Sequence, residues 1–253
     1  MKTLNFSPIE FSKLKKPPKQ LFFEGESDLL HMPKVSIVGS RRASSYTKNI
    51  TAALARGFRD IGYCVVSGAA MGVDATAHKA ALANTIAVMA NSLDIIYPKV
   101  NEKLIKDIYK NSLALSEYES NTPATRYSFV VRNRIVVALG DFLIITQAHE
   151  NSGTMRSAQI AQELGKKIYV IPQRLNESNG TNKLLKESKA ELIYDIDEFI
   201  SRFGSIVNKQ DEIMEFCKNF PTLNDALKRF GDKIYEYELE GKVEIKNLKV
   251  YPL

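Results

Sequence analysis

The sequence predicts an α/β protein: a doubly wound, mostly parallel sheet followed by a small module of helices and a hairpin. Three observations carry that prediction. Six short apolar runs recur between residues 35 and 171. The segments between them show the three-to-four-residue apolar spacing of amphipathic helices. Past residue 201 the alternation stops and a new pattern begins.

Residues 1–33 contain Lys15-Lys16-Pro17-Pro18-Lys19, whose prolines favour an extended arm. Leu21-Phe22-Phe23 then suits an edge strand. From residue 34 the buried strands are expected at 35–38, 64–66, 86–90, 113–115, 142–145 and 168–171. Helices are expected at 46–60, 74–83, 102–110, 128–139 and 153–164. Continuous apolar runs bounded by helices belong to strands covered on both faces, hence to a parallel sheet. This is an extended Rossmann-like arrangement, in which a ligand sits at the carboxyl ends of the strands. Phe203-Gly204-Ser205 opens a linker. Helical patterns follow around 213–217, 223–230 and 234–239. Gly241-Lys242-Val243-Glu244-Ile245, a turn at Lys246-Asn247 and a strand over 248–251 complete a winged-helix-like module. The expected division is a short N-terminal extension (1–33), a Rossmann-like binding domain (34–205) and a winged-helix-like domain (209–253).

Bulk composition agrees. The 253 residues are 44% apolar and 25% charged, ordinary for a globular protein and unlike a disordered, collagenous or disulfide-rich chain. A chain of this length buries a substantial core without staples. Its apolar runs are too short to span a bilayer, and no charged start followed by an apolar stretch marks a signal peptide. A cytoplasmic protein without membrane contact is expected. Cys64 and Cys217 stand in no metal-ligand spacing and read as buried thiols of a reducing compartment. With three histidines and no His/Cys cluster, neither a metal nor a cofactor is expected.

Net charge is +6, which favours a polyanionic partner. Residues 34–208 carry 22 basic and 16 acidic side chains, whereas residues 209–253 carry 8 and 9. An anion site is therefore expected in the middle of the chain.

Four segments there can carry it. After the first buried run, Gly39-Ser40-Arg41-Arg42-Ala43-Ser44 offers a tight turn, hydroxyls, two planar cations and the N–H groups of a following helix. A capped turn with solvated arginines fits the same residues. Ser67-Gly68-Ala69-Ala70-Met71-Gly72-Val73-Asp74 lets a ligand approach the backbone closely. Asp74 reads there as a helix N-cap rather than a catalytic acid, and His78 as a packed or surface histidine. Arg126-Tyr127-Ser128-Phe129-Val130-Val131-Arg132-Asn133-Arg134 interleaves cations with aromatics, as single-stranded nucleic acid requires. A helix with Phe129 in the core explains it equally. Ser152-Gly153-Thr154 opens a helix and makes either a small anion nest or a simple cap. Pro172-Gln173-Arg174 and the polar loop at Asn176, Ser178, Gly180, Thr181 and Asn182 then lead into a short helix beside the same cleft. No dinucleotide-binding G-x-G-x-x-G, P-loop, nucleophile elbow or H-E-x-x-H motif is present.

Six motifs in order resemble the DprA family of bacterial DNA-processing proteins. They are Val35-Ser36-Ile37-Val38-Gly39-Ser40-Arg41-Arg42, Ser67-Gly68 through Gly72-Val73-Asp74, Leu93-Asp94-Ile95-Ile96-Tyr97-Pro98, Leu115-Ser116-Glu117-Tyr118, Phe129 through Arg132-Asn133-Arg134, and Ser152-Gly153-Thr154. The resemblance implies an extended Rossmann core that binds single-stranded DNA, forms a homodimer, passes the DNA to the recombinase RecA in natural transformation, and catalyses no reaction. By motif, Arg41 holds a phosphate beside the glycine turn, Arg126 takes a basic position, and Phe129 meets a base. Gly39, Ser40, Arg42, Gly68, Ala69, Arg132, Asn133, Ser152, Gly153 and Thr154 complete the expected DNA-binding set. Departures are Met71 where members often have arginine, Val130 where they often have proline, and no room before the core for the helical domain that many carry.

Duplex DNA is a second ligand to consider for the tail. Its Glu236, Glu238, Glu240 and Glu244 argue instead for a protein contact. Two other functions share the core. A nucleoside-monophosphate phosphoribohydrolase of the lysine-decarboxylase-like group has a Pro-Gly-Gly-x-Gly-Thr loop followed by glutamates. Here that place reads Asn151-Ser152-Gly153-Thr154-Met155-Arg156-Ser157, with one glycine and no acid. A nucleotide sensor would bind mononucleotide as well as oligonucleotide.

Overall fold

A computed structural model describes residues 2–205 and 212–253. The chain forms two compact units, Met1–Ile206 and Val207–Leu253.

The first unit contains β1 (Lys2–Thr3), β2 (Phe22–Gly25), β3 (Lys34–Val38), α1 (Ser45–Asp60), β4 (Cys64–Ser67), α2 (Val73–Ala80), β5 (Thr85–Val88) and α3 (Glu102–Asn111). It continues with β6 (Leu113–Ser116), α4 (Arg126–Leu139), β7 (Phe142–Ile145), α5 (Gly153–Glu163), β8 (Ile168–Val170), α6 (Asn179–Lys186), β9 (Glu191–Leu192) and α7 (Ile196–Ser201). The sheet order is β1-β2-β6-β5-β4-β3-β7-β8-β9. The seven strands from β6 to β9 in that order pair in parallel, while β1 and β2 run antiparallel at one edge. From β3 the chain winds outward through β4, β5 and β6, then returns to lay β7 on the other side of β3. The switch point therefore lies between the carboxyl ends of β3 and β7.

Burial explains the winding. Every residue of β3, β4, β5, β6 and β7 is buried. Successive side chains face opposite sides of the sheet. Thus Phe142 and Ile144 join Val35, Ile37, Leu54 and Phe58 in one core layer, while Leu143 and Ile145 join Val66, Val88, Leu115 and Ile135 in the other. The Ser44 hydroxyl caps α1 by accepting from the Thr47 N–H at 3.1 Å. Thr125 and Ser128 cap α4 reciprocally, each side chain accepting from the other's backbone N–H. That box starts α4 two residues before the expected position. Helix α2 stops at Ala80, short of the expected 83, where Ala83 takes a left-handed φ of 79°.

Three expectations change. Residues 2–33 are part of this unit rather than an arm. Lys34 Nζ is buried against Glu10 at 2.8 Å and against the carbonyls of Leu30 and Met32, and Phe11, Leu21, Leu29 and Leu30 enter the core. Phe203 does not open a linker: its ring stacks on Phe142 at 4.3 Å among Phe58, Tyr169 and Phe199. The expected linker beyond Ser205 lies outside the described residues. Asp74 is inside the first turn of α2, whose N-cap is Gly72.

The second unit contains α8 (Glu212–Cys217), α9 (Leu223–Phe230), α10 (Lys233–Leu239) and the hairpin of β10 (Val243–Lys246) and β11 (Lys249–Pro252). This is the element order of a winged helix. Ile213, Cys217, Ala226, Ile234, Val243 and Val250 form its core. The hairpin turns at Asn247 and Leu248, one residue later than expected, with φ of 52° and 59°. Two left-handed residues match the twist of a two-residue hairpin. Cys64 and Cys217 are both buried. Among the described residues no helix is long and apolar enough to cross a membrane.

Candidate nucleic-acid interface

Three loops meet along the carboxyl edge of the sheet, those after β3, β4 and β7. The loop after β3 carries Gly39, Ser40, Arg41 and Arg42. The loop after β4 packs directly against it: Val73 N–H donates to the Ser40 carbonyl at 3.1 Å, and Gly39 abuts the Val73 side chain so closely that a Cβ would overlap it. Gly72 makes the fit from the other side, with φ 77° and its α-carbon against Ser40 and Arg41. The loop after β7 supplies Gln147, whose Oε1 accepts from the Ser44 N–H at 3.1 Å, and ends at Ser152.

Arg41 is exposed, and its guanidinium lies 4.8 Å from the centre of the Phe129 ring. That is a cation–π contact. Phe129, half-buried on the first turns of α4, also meets Tyr97 at 5.9 Å. Tyr97 is 46% exposed and was not among the expected site residues. Its signal was present in the Leu93-through-Pro98 motif, but nothing in the sequence joined it to Phe129. Arg42 and Arg126 are exposed. Among the described residues, none of Arg41, Arg42 and Arg126 pairs with a carboxylate.

At the start of α5, Gly153 is exposed and Thr154 half-buried. The first N–H groups of any helix lack intrahelical partners. Ser152 holds the N-cap position without capping, and its buried Oγ has no hydrogen-bond partner. Asn133 Nδ2 donates to the Gly153 carbonyl at 3.4 Å, tying α4 to this turn.

Two expected contacts are corrected. Arg132 is 3% exposed, and its guanidinium donates to the carbonyls of Gly68 and Val88. It supports the β4 loop from below and does not reach the surface. A Cβ at Gly68 would overlap that guanidinium, which is the reason for glycine there. Ala69 is fully buried in a left-handed conformation. Its N–H donates to His78 Nε2 at 3.2 Å and its carbonyl accepts from Asn101 Nδ2 at 3.0 Å. Both backbone groups are therefore committed inside the protein.

Charges beneath the loop follow from burial. Arg132 is pushed down to about 10 by desolvation, opposed by Asp74 and assisted by the charge of Arg41. It stays a cation at neutral pH. Desolvation raises the Asp74 carboxyl, while Arg132 and the Ala70 N–H pull it back. Burial and then Arg132 lower His78 to about 3. Thr85 Oγ1 donates to the Val65 carbonyl, so it accepts from His78 Nδ1, leaving Nε2 as the acceptor for Ala69. The histidine is a neutral brace. Arg134 is structural too, paired with Glu117 at 2.7 Å.

The family model described as DNA recombination-mediator protein A matches residues 5–204, nearly the whole first unit. The chain belongs to the DNA recombination-mediator protein A family. DNA processing protein DprA of Streptococcus pneumoniae is 34% identical over 201 residues, covering 78% of this chain and 71% of that protein. Protein Smf of Synechocystis is 32% identical over 203 residues, covering 75% of this chain and half of that protein's length. Among solved structures, DNA processing protein A of Helicobacter pylori superposes with a TM-score of 0.79 at 47% identity, over 79% of this chain and 94% of that one. That study concerns a single-stranded DNA binding mode of the Helicobacter protein. The Streptococcus pneumoniae DprA structure gives 0.73 at 34% identity, over 77% of this chain and 70% of that one. In this family member the two departures, Met71 and Val130, are each 45% exposed, one on the β4 loop and one beside Phe129.

Proposed function

We infer that this protein is a recombination mediator that binds single-stranded DNA along the carboxyl edge of the sheet, at the β3–β7 switch point. The Arg41–Phe129 pair carries the reading: an exposed cation held over an aromatic face, beside unpaired helix N–H groups, suits phosphates alternating with bases. Arg42 and Arg126 extend the charge, with Gly39, Ser40, Gly68, Asn133, Ser152, Gly153 and Thr154 shaping the bed. Such contacts read backbone and ring faces, so sequence discrimination is poor.

Kinship with the Helicobacter protein supports the ligand. The family resemblance supports the rest: a cytoplasmic homodimer that protects incoming DNA in transformation and hands it to RecA, without a reaction of its own. Two sites on one strand raise affinity through effective concentration. The acidic C-terminal unit serves protein contact rather than duplex DNA.

Fluorescence anisotropy with a labelled single strand and a duplex control tests this, using wild type, Arg41→Ala and Arg126→Ala across a salt series. Salt-sensitive, single-strand-preferring binding that both variants weaken is expected. Weak binding indifferent to both changes would overturn it.

A further inference from the structure

On the β8 side of the switch point lies a cavity of about 460 Å³ lined by Ser44, Tyr46, Pro172, Gln173, Arg174 and Glu177. Its size falls in the range of small-ligand sites. One wall is the ring of Tyr46, 48% exposed, whose hydroxyl donates to the Pro172 carbonyl at 3.2 Å and fixes the ring in place. Gln173 Nε2 donates to Thr47 Oγ1 at 3.1 Å and to the Thr146 carbonyl at 2.6 Å. Those bonds orient the amide, and its buried Oε1 is left without a donor. At the mouth, Arg174 is 87% exposed and only loosely paired with Glu177 at 3.7 Å.

An aromatic wall and an exposed cation at the mouth call for a flat ligand that bears a nearby negative charge. A nucleotide has both, a base with a stackable face and a phosphate beside it. The cavity is also joined to the Arg41 site by chain: Ser44 caps the helix that begins where the Arg41 loop ends, and Tyr46 stands on that helix's first turn.

We propose that this cavity is a second base pocket, which takes an unstacked nucleobase of the strand whose neighbouring bases pass Phe129. Tyr46 is the stacking face, Gln173 lines the pocket beside it, and Arg174 meets the phosphate of that base. The proposal rests on the single-stranded DNA reading above.

The test uses the full chain, wild type, Tyr46→Ala, Tyr46→Phe and Arg41→Ala, with thymidine oligonucleotides from 4 to 20 nucleotides in length. Tyr46→Ala is expected to weaken binding of the longer oligonucleotides by roughly 5- to 140-fold, the range of one base–aromatic stack. The shortest should be unaffected and the salt slope unchanged. Tyr46→Phe keeps the ring and should stay near wild type. In wild type, a 5-iodouracil oligonucleotide should photocrosslink to the peptide containing Tyr46, and thymidine monophosphate should compete poorly. Loss of affinity in Arg41→Ala with none in Tyr46→Ala at any length, or a crosslink confined to the Phe129 peptide, would overturn the second pocket and leave the first reading intact. A crosslink at Tyr46 that thymidine monophosphate abolishes would make the cavity a free-nucleotide site and overturn it as well. Absence of any single-strand binding in wild type would remove both.

Discussion

The guanidinium of Arg132 sits directly beneath Gly68 and donates to its carbonyl, so the loop that opens the site rests on a buried charge. Removing that cation strands the carbonyls of Gly68 and Val88 and takes away the positive charge that offsets the burial of Asp74. Breaking one side of a buried charged arrangement costs about 3–5 kcal/mol. Arg132→Ala should therefore lower the melting temperature of the first unit by roughly 10 °C, at about 2–4 °C per kcal/mol. Lysine lacks the planar fork and should restore little. Calorimetry checks this, and an unchanged melting temperature with weakened DNA binding would return Arg132 to the binding surface.

Arg41 and Phe129 make contacts that salt can separate. Stacking is insensitive to counterions, while each phosphate contact contributes about 0.7 to the slope of log affinity against log salt on a single strand. Phe129→Ala should cost about 1–3 kcal/mol on every sequence with little change in slope. Arg41→Ala should weaken binding and lower the slope by about 0.7. Anisotropy titrations at four salt concentrations distinguish the two. An unchanged slope in Arg41→Ala would reduce Arg41 to a clip on the Phe129 ring.

The sheet was legible because its strands are buried on both faces, and a continuous apolar run such as Phe142–Ile145 has few other folded uses. Loops were legible as candidates because glycines and cations fall at the ends of those runs. What the sequence hid was direction. Arg41 and Arg132 are the same residue type in the first and fifth of the six motifs, yet one faces solvent and the other supports a carbonyl. That difference depends on which side of α4 meets the β4 loop, a long-range fact. Tyr97 was hidden for the same reason, because it lies 32 positions from Phe129 in the chain and joins it only in the fold. Local propensity likewise could not reveal that Lys34 and Glu10 weld the first thirty residues to the core.

His78 should give the fold an acid-sensitive step. Its folded value is near 3 against 6.5 when free. Between those values the unfolded chain binds a proton that the folded chain refuses, so stability falls as pH drops below about 6.5 and levels off near 3. The slope reaches about 1.4 kcal/mol per pH unit for one such group. Asp74 acts in the opposite sense, since burial raises its folded value and favours the fold at low pH. Comparing wild type with His78→Gln isolates the histidine. Urea midpoints from pH 4 to pH 8 should show a steeper acid decline in wild type, and parallel curves would deny the role.

The tail offers a test of charge against shape. Three helices and a hairpin are suited to duplex DNA, yet α10 exposes Glu236 and Glu238, and Glu240 and Glu244 flank the start of the hairpin. Phosphates approaching that face meet like charge, and backbone contacts supply essentially all non-specific affinity. A chain ending at residue 205 keeps both layers of the first unit's core. It should bind single strands within about twofold of the full chain and show the same weak duplex binding, since the contacts that dominate affinity lie in the first unit. Reversing Glu236 and Glu240 to lysine in the full chain should create duplex binding that falls steeply with salt, because it turns repulsion of the backbone into attraction. Should truncation instead abolish duplex binding that the full chain possesses, the tail's shape outweighs its charge and it is a duplex contact after all.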